Sequence, residues 1–141
     1  MKLNEQNLPQ LPAHIARPSY TLESVTAGIA HIGVGGFHRA HQAAYTDALM
    51  NTGEGLDWGI CGIGTRVDEL PMRDALASQN HLYTLVELDD RPDTEVRVIG
   101  SLRDMLLVPR DGSEAVVARL ADPAIRIVSL TITEGGYCLD D

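Results

Sequence analysis

The chain is short of several things, and each shortage closes off a class. Only Cys61 and Cys138 represent cysteine among 141 residues. That excludes a disulfide-rich framework, and both are read as reduced thiols in or beside apolar, strand-like runs. No apolar run approaches the ~18 residues that a membrane-spanning helix needs. The opening Met1-Lys2-Leu3-Asn4-Glu5-Gln6-Asn7 lacks the apolar stretch of a secretory signal. The expectation is therefore a cytoplasmic protein with no membrane partner. Cationic residues are also scarce, with 11 Lys and Arg against 20 Asp and Glu and a net charge of −9. A general nucleic-acid binder carries a basic face, so nucleic acid is not an expected partner. The acidic residues are scattered, as at Glu87, Asp89 and Asp90, and serve solubility.

What is present suits one α/β domain. The hydrophobic fraction, 44%, supplies a single core. Pro9, Pro12 and Pro18 break any helix in residues 1–28, which read as an irregular lead-in to a domain over 29–141. Residues 29–34 read as a short buried strand leading into a glycine turn. Ala40, Ala43, Ala44, Ala48 and Leu49 then recur at near-helical spacing, which predicts a helix over 38–51 stopped by Gly53. A second strand is expected over 56–63. A helix over 68–77 follows, with Asp68, Glu69 and Pro71 suited to its first turn. Strands over 81–88 and 94–99 flank Asp89-Asp90-Arg91-Pro92-Asp93, strong turn chemistry that predicts a hairpin. Residues 102–107 read as a short helix and 113–121 as a better one, closed by Asp122-Pro123. Residues 125–132 read as the clearest buried strand. This order predicts a Rossmann-like, mainly parallel sheet with flanking helices and one β-hairpin insertion, in an incomplete domain.

The informative stretch is Gly33-Val34-Gly35-Gly36-Phe37-His38, between a strand and a helix. Gly33 suits the tight turn. Gly35 has no side chain, so a pyrophosphate can approach the backbone. Gly36 and Phe37 open the helix, where free N–H groups meet an anion. His38 falls where G-x-G-x-x-G has its third glycine, so its ring either spreads helix from strand or turns elsewhere, as toward a cofactor. On these residues alone a glycine-rich turn without a ligand is the alternative. An acid that bonds the adenosine ribose should end the second strand. Asp57 lies at the wrong end of it, leaving Asp68 and Glu69, which equally suit a helix N-terminus. A carboxylate there favours NAD over NADP, whereas Arg66 suits a 2′-phosphate, so the preference stays open. Thr133 and Glu134, after the last strand, are candidates for the ribose or the substrate. His38 and His41 share a helix face, but zinc needs further ligands, and no metal is expected. His31 reads as a hydrogen-bonded core residue.

The run Ile-Ala-His-Ile-Gly-Val-Gly-Gly-Phe-His-Arg-Ala-His-Gln at 29–42 resembles the cofactor loop of the polyol-specific long-chain dehydrogenases, of the mannitol-dehydrogenase type. Tyr45-Thr46-Asp47 and Ser-Leu-Thr-Ile-Thr-Glu-Gly-Gly-Tyr at 129–137 strengthen the likeness, which covers nearly the whole chain. The resemblance implies reversible hydride transfer between NAD and C2 of a polyol, interconverting mannitol and fructose or arabinitol and xylulose. It implies a Rossmann-type domain joined to a helical second domain whose lysine is the general base and whose asparagines polarise the reacting oxygen. Lys2 is the single lysine here and sits in the lead-in, so no catalytic residue is expected in this chain. A hydroxyl proton without a base does not leave. The expectation is an NAD-binding part, inactive alone, whose catalytic domain is supplied by the rest of a longer chain. The alternative is a stand-alone NAD-binding module that acts as a sensor or with a separate partner chain.

Overall fold

The computed structural model describes residues 2–88 and 95–132. Among them, four strands form a parallel sheet in the order β5-β2-β1-β6: β1 is Ala27–Ile32, β2 Gly59–Gly64, β5 Leu102–Leu107 and β6 Ile127–Leu130. β3 (Tyr83–Glu87) and β4 (Glu95–Ile99) pair antiparallel in a separate sheet, as the hairpin reading expects; its turn lies outside the described residues. The chain runs outward from β1 to β2 and β5, then returns to place β6 on the other side of β1. That reversal makes the gap between β1 and β6 a switch point, where open α/β sheets bind ligands beyond the carboxyl ends of the strands.

Alternation along β1 builds two layers. Ile29 joins a core with Ala43, Ala44, Ile60, Tyr83 and Met105. Ala30 faces the opposite layer with Ile63 and Val116. The first layer includes α2 (Gln42–Met50) and α3 (Leu70–Ala77), and the second α5 (Ser113–Leu120) after the short α4 (Val108–Asp111). Cys61 is fully buried in β2, and burial pushes its thiol up to about 11, so it is an inert core residue. The lead-in has two short 3-10 turns, and Leu3, Leu8, Leu11, Ile15 and Tyr20 pack on Leu22, Leu82 and Val98. Ala16 also pairs with Arg97 of β4, so this segment is stitched to the hairpin.

Three readings need correction. Residues 102–107 are a strand, β5, paired in parallel with β2 from Ile60↔Leu102 to Gly64↔Leu107. The non-local ladder overrides the helix-forming tendency of Leu and Met. Residues 125–132 are not buried: β6 is an edge, and Val128 and Leu130 are 51% and 54% exposed. Its apolar composition misleads because no described strand pairs its outer edge. The helix expected over 38–51 begins earlier and is broken: α1 (Gly36–Ala40) and α2 meet at His41, whose backbone leaves the helical region.

Candidate dinucleotide site

β1 ends where Gly33 adopts φ +98, a conformation that side chains strain to reach. Its N–H donates to Ile63 O at 2.9 Å, which pins the turn to β2. Gly35 N–H donates to Gly33 O at 2.8 Å, and Gly35, extended, precedes α1. The first N–H groups of a helix have no partner within it. A Cβ built at Gly35 or Gly36 meets nothing within 4 Å among the described residues, which leave open space above the turn. That space is what a close-approaching diphosphate requires.

Phe37 and His38 diverge from this turn. Phe37 is 69% exposed and stacks on His41 with ring centroids 4.4 Å apart. His38 turns inward, 1% exposed, and lies flat on His31 at 3.8 Å between centroids and 9° between planes. Its Nδ1 bonds Gln42 Oε1 at 3.0 Å, and its buried Nε2 has no partner among the described residues. Burial, then the neighbouring His31, pushes the His38 imidazole down to about 4, so it is neutral. His31 is hydrogen-bonded as expected, Nδ1 to Ser129 Oγ at 2.8 Å and Nε2 to Thr131 Oγ1 at 3.0 Å; burial lowers it too. A cavity of about 320 Å³ opens at the ends of β1 and β6, lined by His31, Phe37, His38, Gln42, Ser129 and Thr131 among others.

Beyond β2, Arg66 and Asp68 form an exposed ion pair at 2.5 Å. Glu69 is engaged differently: its Oε2 accepts from the N–H groups of Thr65 and Arg66 at 2.8 and 2.9 Å, capping the turn. Asp57 is at the far end of β2, as expected, and pairs with Arg126 at 2.8 Å.

A model of the mannitol dehydrogenase Rossmann domain matches residues 27–139. The chain belongs to this family. Mannitol 2-dehydrogenase of Phaeosphaeria nodorum is 50% identical over 141 residues, covering 100% of this chain and 24% of that protein. Its counterpart from Cereibacter sphaeroides is 50% identical over 126 residues, 89% of this chain and 26% of that protein. The Pseudomonas fluorescens mannitol 2-dehydrogenase, solved as a ternary complex with NAD and D-mannitol, superposes with TM-score 0.95 at 66% identity over 100% of this chain and 28% of that one. A substrate-free D-sorbitol dehydrogenase superposes with TM-score 0.89 at 42% identity, over 100% of this chain and 29% of that one. This chain thus spans about a quarter of the length of the curated relatives, 24% and 26% in the two named.

The Rossmann domain brings Gly33, Gly35, Gly36 and Phe37 together at one turn and sets Arg66, Asp68 and Glu69 past the end of β2, the strand beside it. Thr133 and Glu134 lie outside the described residues. Gln42 and Ser129 join the site only in the structure. The four-residue step from His38 to Gln42 was a usable signal on a helix. Ser129 is 87 residues from Gln42 in sequence, and only the pairing of His31 with Ser129 brings it in.

Proposed function

We propose that this chain is the NAD-binding part of a polyol 2-dehydrogenase that interconverts mannitol and fructose by hydride transfer. The observation that carries the reading is the glycine turn at the β1/β6 switch point, which no described residue obstructs. Gly33, Gly35, Gly36 and Phe37 would hold the diphosphate, with His38 beneath them. Asp68 would bond the adenosine ribose; Glu69 supports that loop through its backbone bonds, and Arg66 orients Asp68. Thr133 and Glu134 are assigned to the nicotinamide or substrate side from their place after β6. Bound NAD supplies the hydride acceptor; the chain's own residues bind and orient it. The hydroxyl proton needs a base, which is assigned to the remaining three quarters of the relatives' length together with the polyol-binding groups. This chain alone should bind NAD and oxidise no polyol.

Calorimetric titration with NAD tests this, alongside Gly35→Val. The added side chain has room in the free protein, so the fold should persist while NAD affinity falls by at least about a hundredfold through lost diphosphate approach. A folded wild-type chain that does not bind NAD refutes the reading. Mannitol oxidation by the purified chain refutes the division of labour.

A further inference from the structure

The family motif places an imidazole where dinucleotide-binding turns have a glycine, and that imidazole is buried with one nitrogen unpaired among the described residues. A buried polar atom without a partner is destabilising. Packing alone would favour glycine or an apolar residue at position 38. The ring is nevertheless held from several directions. It lies on His31, its Nδ1 donates to Gln42 Oε1, Gln42 reaches Ser129 Oγ at 3.4 Å, and Ser129 Oγ bonds back to His31. Thr131 closes the far side of His31. The circuit joins β1, α1, α2 and β6, and its members also line the cavity at the β1/β6 end. The open backbone at Gly35 and Gly36 lies outside it.

We infer, resting on the NAD-binding reading above, that His38 is a positioning residue for the half of the dinucleotide beyond the diphosphate. With His31, Gln42 and Ser129 it fixes the glycine turn relative to the end of β6. Its neutral state, set by burial, keeps two stacked imidazoles from repelling one another.

The test compares the chain with His38→Phe, which retains a flat ring and removes both nitrogens. Each is titrated with NAD and with ADP, which has the adenosine and diphosphate but lacks the second ribose and nicotinamide; the thermal midpoint is recorded alongside. The expected result is at least about a tenfold loss for NAD with ADP held within about twofold. Parallel losses for both ligands, tracking the midpoint, would mean that the ring is structural only and overturn the inference. Unchanged NAD affinity would do the same. Ser129→Ala removes the shared hydroxyl from an edge strand without touching the buried ring; the same split is expected, and this variant decides if His38→Phe does not fold. Failure of the unsubstituted chain to bind NAD overturns the earlier reading instead, and is seen before any substitution is made.

Discussion

Lowering the pH should unfold this protein partly through His38, and the size of the effect follows from the buried imidazole pair. In the unfolded chain His38 takes a proton near its ordinary value of 6.5; in the folded chain burial and His31 push it to about 4. Between those values the unfolded state binds more protons, so stability rises with pH and falls on acidification. From about pH 7.5 to about pH 5 the loss is some 1.5 units at 1.36 kcal/mol each, about 2 kcal/mol. His31, also lowered by burial, acts in the same direction. Asp47 is shifted up by burial, so it acts in the opposite sense at more acidic pH and is common to wild type and variant. Urea unfolding of the wild type and His38→Phe at both pH values isolates the contribution. The wild type should lose about 2 kcal/mol more than the variant on acidification. A difference below about 0.5 kcal/mol, within the scatter of additive effects, would refute the claim that His38 is held neutral by its surroundings.

Asp68→Asn should raise the ratio of NADP to NAD affinity by about fivefold, the scale of one exposed charge interaction, because it removes a carboxylate and frees Arg66 for a 2′-phosphate; an unchanged ratio in paired titrations contradicts the ribose assignment. Tyr20→Phe should cost about 1.5–3 kcal/mol in urea unfolding, the range for a hydrogen bond to a charged group. Tyr20 donates to the buried Asp47 at 2.5 Å, and Asp47 also accepts from Gly100 N–H and Asn51 Nδ2, so one carboxylate joins the lead-in, α2 and the end of the hairpin. A loss below about 0.5 kcal/mol, no more than an ordinary surface substitution, would mean that this junction does not hold the lead-in.

Local features were legible in the sequence and long-range ones were not. The glycine turn is visible because Gly33, Gly35 and Gly36 fall within four residues between a strand and a helix, Gly33 for its backbone and the other two for their missing side chains. The hairpin strands and α5 were likewise local. β5 is not legible because Leu-Arg-Asp-Met-Leu-Leu has neither alternation nor β-branching, and its pairing with β2 decides its state. β6 was recognised as a strand, but burial is a property of its neighbours, and Ile127, Val128 and Leu130 carry no mark of lying at an edge. Motif spacing located His38; the inward turn of its ring depends on His31 in the strand beneath.

The exposure of β6 has a consequence for the site. One wall of the cavity stands on the least covered strand of the sheet, while the glycine turn grows from the central strand. Among the described residues, polar contacts hold β6 at both its ends. At its start, Arg126 N–H donates to Gly28 O at 2.8 Å, and the Arg126 guanidinium lies 3.6 Å over the Trp58 ring while pairing with Asp57. At its end, His31 bonds both Ser129 and Thr131. The two clamps differ in kind. The first is surface-exposed and open to salt screening, far from the ligand edge. The second is centred on the buried His31, with Ser129 half-buried and Thr131 exposed, and is itself part of the cavity wall. Precise placement of a ligand requires side chains whose rotamers are locked by their own hydrogen bonds. On this strand, among the described residues, the His31 clamp meets that requirement and ties Ser129 and Thr131 to the imidazole pair at the β6 side of the site.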